Sequence, residues 1–163
     1  MTTSEIIEKL TSRDTHKVWE SACEIIKNGQ LEDKIIPLIE YLETIKEKTL
    51  NLEMGGAFSP NQKFIDFAIR TIEFHKNRKK CTCYLYVEKF KLTNDFIGRE
   101  IQYESFSPEK EEEKRSIKIL EIVRIDNKWV DYYILKCTKC AELFKVEERE
   151  GHYMFWNWSK INN

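Results

Sequence analysis

The chain has 163 residues, with 27 Lys and Arg against 28 Asp and Glu, a formal net charge of −1, 41% apolar and 12% aromatic residues. That length suits one core and excludes two full-sized enzymatic domains, and a charge so near zero provides no global field to gather nucleic acid or an anionic membrane. No run without a formal charge exceeds nine residues, as in Met54–Gln62, far short of the roughly 20 apolar residues of a membrane span, and Met1–Leu10 lacks the order of a secretory signal, so a cytoplasmic protein is expected.

The first half reads as helices. Thr2-Thr3-Ser4-Glu5 has capping-box spacing. After a break at Thr11–Asp14, Val18, Trp19, Ala22, Cys23, Ile25 and Ile26 recur at helical spacing. Asn28-Gly29 predicts a stop, because either residue can take the left-handed conformation that closes a helix. Ile35, Leu38, Ile39, Leu42 and Ile45 then predict one long amphipathic helix to about Leu50. Gly55-Gly56 breaks the pattern, and Ser59-Pro60-Asn61-Gln62 carries the start signals of a third stripe, Phe64, Ile65, Ala68, Ile69 and Ile72, running to about His75.

From Lys80 the period changes to two. Cys83–Val87, Ile97–Phe106, Ser116–Ile125, Trp129–Lys136, Leu143–Glu147 and His152–Trp158 are predicted strands. Asp126-Asn127-Lys128 and Glu150-Gly151 are predicted turns between them, and the glutamate-rich stretch from Ser107 to Arg115 is expected to be an exposed loop or strand extension. The expectation is an α+β fold in which N-terminal antiparallel helical hairpins pack on a C-terminal antiparallel β-sheet with a zinc knuckle. Residues 1–79 form the helical part and 80–163 the β-rich part, together one compact unit.

The five cysteines are the feature that departs from the average. Cys81-Thr82-Cys83 and Cys137-Thr138-Lys139-Cys140 form two close pairs, whereas Cys23 sits on an apolar helical stripe and is expected in the core. In a cytosolic chain such pairs point to metal before disulfides. Zinc takes four soft or borderline ligands in a tetrahedron, which two short pairs from distant segments can supply. A Cys-x-x-Cys turn lets backbone amides donate to the sulfurs. In a strand, residues two apart share a face, so Cys81 and Cys83 could meet the same ion. Inert core thiols or a redox pair remain the alternatives, and His152 could replace one ligand of the first pair. No glycine follows Cys140 to ease the turn. Four thiolates would close the coordination shell, which implies a structural zinc that staples the β half to the end of the third helix, with no position left for catalysis. His16 and His75 read as surface residues of helices.

Catalytic signatures are missing: there is no Walker loop, no Gly-x-Gly-x-x-Gly, no His-Glu-x-x-His and no Gly-x-Ser-x-Gly. No enzymatic activity is therefore expected. Partner contacts are expected at Glu109, Glu111, Glu112, Glu113, Glu147 and Glu148, which would complement a basic protein, and at Trp156, in the most aromatic stretch of the chain. The alternative is a nucleic-acid-binding module, in which Lys76, Arg78, Lys79 and Lys80 act with Tyr84, Tyr86, Lys89, Phe90 and Lys91. A cationic cluster at a helix C-terminus also complements the helix dipole without any ligand.

The segment Phe64–Ile72 resembles the helical hairpins of HEAT-like repeats, over residues 4 to 77 at most. Leu135–Phe144, with Cys137 and Cys140, resembles one knuckle of a zinc ribbon; Cys81-Thr82-Cys83 departs from the ribbon's two-residue gap. In size, acidic loops and lack of catalytic motifs the chain is similar to bacterial immunity proteins. That similarity implies neutralisation of a toxin, for which a basic toxin domain is the expected partner.

Overall fold

The computed structural model describes residues 1–56, 61–93, 100–150 and 154–162. The chain divides into two units, Met1–Thr82 with Lys89–Ile101, and Cys83–Glu88 with Gln102–Asn163. The seam expected at 79/80 therefore falls slightly later, and a short excursion of chain returns to the helical unit.

In the first unit, α1 (Thr3–Thr11) opens on the expected capping box: the Glu5 N–H donates to Thr2 Oγ1 at 3.2 Å, and the Glu5 carboxylate accepts the Thr2 N–H at 2.7 Å. Asp14 caps α2 (Thr15–Lys27) by accepting the N–H groups of His16 and Lys17, each at 3.1 Å. The apolar stripe of α2 is buried through Val18, Ala22, Ile25 and Ile26. Asn28 caps its end at φ −99°, and the only non-glycine and glycine residues at positive φ lie elsewhere among the described residues, so no left-handed closure occurs there. Gly29 is required for a different reason. A Cβ on it would lie 3.2 Å from both the Ile26 carbonyl oxygen and Thr71 Cγ2, so close packing against the helix that carries Thr71 explains the glycine.

The single helix expected over Ile35–Leu50 is broken into α3 (Glu32–Ile35), a 3₁₀ segment (Ile36–Tyr41) and α4 (Leu42–Thr49). Pro37 has no N–H to donate and its ring crowds the preceding turn, so the chain tightens to i→i+3 bonding. The apolar spacing survives the break: Ile35, Leu38, Leu42 and Ile45 are all buried. Gly55 and Gly56 have φ of 69° and 95°, conformations open to glycine. The capping signal at Ser59-Pro60 lies outside the described residues. Helix α5 (Gln62–Lys76) buries Ile65, Phe67, Ala68 and Ile72. His75, expected on the surface, is buried, with Nε2 2.9 Å from the Gly29 carbonyl oxygen. Strands β1 (Lys89–Lys91) and β2 (Glu100–Gln102) form a two-stranded ribbon.

The expected strand Cys83–Val87 is instead a 3₁₀ turn, Thr82–Tyr86. Cys83, Leu85 and Tyr86 are all buried there; alternation would have turned one of two neighbours outward, whereas a three-residue turn brings Cys83 and Tyr86 to one side. The stretch expected as a loop contains α6 (Pro108–Glu113), with Ser107 at the N-cap position and proline at the first helical position. Strands β3 (Ile117–Ile125), β4 (Trp129–Cys137), β5 (Leu143–Glu150) and β6 (Met154–Lys160) form an antiparallel sheet in that order. Asp126 and Asn127 join β3 to β4 with φ of 50° and 57°, the double left-handed turn that matches strand twist. Gly151 of the other expected turn is outside the described residues. The core of this unit is aromatic: Tyr86 stacks on Trp158 at 4.1 Å, and Phe106 and Phe144 meet Tyr86 edge-on. The Trp158 Nε1 donates to the Phe106 carbonyl at 2.8 Å.

Candidate metal centre

The centre is built from two local structures. Cys137 ends β4, and Cys140 sits in the turn that leads to β5. Within that turn the Lys139 N–H points at Cys137 Sγ at 3.4 Å, the Ala141 N–H donates to the Cys137 carbonyl at 3.1 Å, and the Cys137 N–H donates to the Glu142 carbonyl at 2.8 Å. Ala141 has φ 65°, so the residue after Cys140 adopts the left-handed conformation that glycine would take without cost. Thr138 holds the turn to the start of β3, its Oγ1 donating to the carbonyls of Arg115 at 2.8 Å and Ser116 at 3.0 Å. The other pair comes from the 3₁₀ turn: Cys83 lies within it and Cys81 immediately before.

The sulfurs of Cys81, Cys83, Cys137 and Cys140 all lie within 4.8 Å of one another, and Cys83 Sγ is 3.4 Å from Cys140 Sγ. Zinc–sulfur bonds of about 2.3 Å place the sulfurs of a regular tetrahedron about 3.8 Å apart. The observed separations bracket that edge, and 3.4 Å is far too long for a disulfide bond. None of the five cysteines is joined in a disulfide. Cys83 and Cys137 are buried, Cys81 is half-buried and Cys140 exposed. A hydrogen bond from Cys83 is the main cause holding the Cys137 thiol down to about 4, helped by the N–H groups of Cys140 and Lys139 and opposed by burial. Thiolate donors in a closed set of four fit a soft or borderline ion such as zinc. The set closes without His152, which lies outside the described residues. Cys23 stays apart on α2, half-buried, where burial pushes its thiol up to about 11.

The expected partner residues are not equivalent. Glu111 is only 2% exposed; it accepts the Tyr86 hydroxyl at 2.7 Å and pairs with Lys114, so it belongs to the interior and leaves the contact set. Glu109 and Glu148 both bond the Tyr133 hydroxyl, which burial and these two carboxylates push well above the usual phenol range. Glu147 is held by Lys145 at 3.1 Å and Arg149 at 3.4 Å; its bond from Lys145 is the main cause that keeps its carboxyl low. Glu112 accepts the Ile119 N–H at 2.7 Å, which sets α6 beside the outer strand β3, and Glu113 is exposed. Trp156 is half-buried, opposite Glu148 across β5 and β6. The large exposed apolar residues described in this unit are Leu120, Ile122 and Ile125 on β3, Trp129, 71% exposed and paired with Ile125, and Met154 at the start of β6. Their sequence gave no warning, because strand alternation says which residues share a face but not which strand is outermost.

Several residues of the nucleic-acid alternative have partners within the protein. Lys76 lies 3.9 Å from Glu43, and Arg78 pairs with Glu32 at 2.7 Å. Tyr86 is buried in the aromatic core, and Tyr84 stacks under the Lys160 ammonium at 4.7 Å. Among the described residues no helix is long and apolar enough to cross a membrane. Against known protein families, curated proteins and solved structures, the chain finds no match.

Proposed function

We propose that the protein is a non-enzymatic, zinc-stabilised binding protein whose partner is a basic protein domain, in the manner of a bacterial immunity protein that neutralises a toxin. The observation that carries the reading is a set of exposed apolar residues, Leu120, Ile122 and Ile125 on the outer strand β3 and Trp129 of β4 paired with Ile125, beside the acidic residues of α6. Exposed large apolar residues grouped on one strand mark protein contacts, and tryptophan is the side chain most enriched at their energetic centres. Glu109, Glu112 and Glu113 supply complementary charge beside it, which speeds encounter and sets orientation. Zinc held by Cys81, Cys83, Cys137 and Cys140 would fix the turn that closes β4, and the thiolates would carry no reaction step.

The test is binding of the purified, zinc-loaded protein to the product of the gene beside its own. Trp129→Ala and Ile122→Asp are expected to weaken that binding by tenfold or more, on the order of 1.4 kcal/mol or above. Reversal of Glu109, Glu112 and Glu113 to lysine is expected to slow association and remove its salt dependence. Unchanged affinity and association rate across all these variants would discard the surface.

A further inference from the structure

The first unit contains a cavity of about 530 Å³, within the size range of small-molecule sites, between α4, α5 and β1. Its charge is uneven. Four cations line it, Lys46, Arg70, Lys89 and Lys91, against two acids, Asp66 and Glu73. The acids are already committed: Glu73 to Lys46 at 2.8 Å and Arg70 at 4.0 Å, and Asp66 to Gln62 Nε2 at 3.0 Å and the Thr93 N–H at 2.8 Å, with the Thr93 hydroxyl as a third donor. Lys89 and Lys91 are exposed at the rim and form no ion pair among the described residues. The mouth is therefore short of negative charge.

The inner end has the opposite need. Asp66 and Gln62 are both more than nine-tenths buried. A carboxylate offers about four lone-pair sites, and Asp66 uses three. The bond from Gln62 Nε2 to Asp66 fixes the amide orientation, and Gln62 Oε1 is left without a donor among the described residues. Buried acceptors without donors are costly, so a ligand that brings an N–H to this end is favoured. Phe90, gripped edge-on by Phe67 at 5.2 Å, lines the cavity together with Ile69 and Leu50.

We propose that this cavity binds a nucleoside monophosphate, with the phosphate at Lys89 and Lys91, the base against Phe90, and a base N–H at the Asp66–Gln62 end. No simpler anion meets all three demands: inorganic phosphate lacks the flat ring and the distant donor. The site is independent of the cysteine centre and of the partner surface, because none of its residues belongs to either.

Isothermal titration of the full-length, zinc-loaded protein with GMP, AMP and inorganic phosphate tests it. GMP and AMP are expected to bind saturably with Kd at or below about 1 mM, and phosphate alone at least about tenfold more weakly. Joint Lys89→Ala and Lys91→Ala substitution is expected to raise the nucleotide Kd by about tenfold or more, since both are charge-assisted contacts. These residues are exposed, so melting temperature and circular dichroism should not change. Phe90→Leu is expected to narrow the preference for nucleotide over phosphate. Absence of saturable binding by either nucleotide, equal affinity for phosphate, or nucleotide affinity unaltered by the double substitution would overturn the proposal.

Discussion

Glu111 and Glu113 stand two positions apart in one run of glutamates, yet they do opposite work. Glu111 is enclosed with Tyr86 and Lys114, whereas Glu113 faces solvent. Glu111→Ala would take this acceptor from the buried Tyr86 hydroxyl and remove its pairing with Lys114, so a loss of about 3 kcal/mol is expected in urea unfolding. Glu113→Ala is expected to fall within about 0.5 kcal/mol of the parent in the same measurement. Equal effects would place the interior carboxylate wrongly. At Cys137 the sign of a pH effect follows from its lowered thiol, about 4 against an ordinary value of 9. In between, the unfolded chain holds a proton that the folded one does not, so the thiolate's stabilisation is complete above the ordinary value and is lost as pH falls through the folded value. Urea midpoints of the metal-free protein should accordingly rise from pH 5 to pH 8, and Cys137→Ser should flatten that rise. Protons compete with metal for the same sulfurs, so zinc is expected to leave on acidification.

At the scale of elements, two turns show how backbone conformation selects residues. Asp126-Asn127 satisfies a double left-handed turn with side chains that tolerate it, and its place in the hairpin was legible from composition. Ala141 takes the same region without that tolerance. Ala141→Gly should relieve the steric cost, and a stabilisation of about 1 kcal/mol is expected, read as a higher thermal midpoint of the zinc-loaded protein. A lower midpoint would mean that the alanine methyl packs in a way that outweighs its strain. The helix expected across Ile35–Leu50 failed at Pro37 although its apolar spacing was correct: spacing reports which side chains turn inward, and the missing N–H decides what backbone can carry them. Likewise Cys81 and Cys83 meet the second pair, but from a 3₁₀ turn and not from a strand. Cysteine spacing is compatible with either, and only the neighbours Leu85 and Tyr86, buried one after the other, excluded the strand.

On the scale of the whole molecule, the two units are stabilised differently. The helical unit rests on aliphatic stripes such as Ile25, Leu38, Leu42 and Ile72, and the β unit on the Tyr86, Phe144 and Trp158 cluster, with the cysteine centre close to it in sequence at Cys83 and Cys137. Trp158→Ala is expected to cost about 3 to 5 kcal/mol through the cavity it leaves, and to broaden or split a calorimetric transition if the units melt separately. Elemental analysis of the native protein should return one zinc per chain. Chelation should then lower the melting temperature recorded by near-ultraviolet dichroism, with the folded signal restored on adding zinc. Zinc-free protein with an unchanged melting temperature would remove the metal from the account.

The sequence by itself determined the α+β class, the capped helix at Thr2, the hairpin at Asp126-Asn127 and the two close cysteine pairs, because each depends on patterns within a few residues. Tertiary structure decided which of several equal-looking glutamates is interior, that His75 is buried, and that β3 is the outer strand carrying exposed apolar residues. It also made Lys89, Phe90 and Lys91, which the sequence offered to a nucleic-acid strand, part of the lining of a cavity shared with α5. Those outcomes depend on what lies opposite a side chain after the chain has closed on itself, and local periodicity holds no record of that.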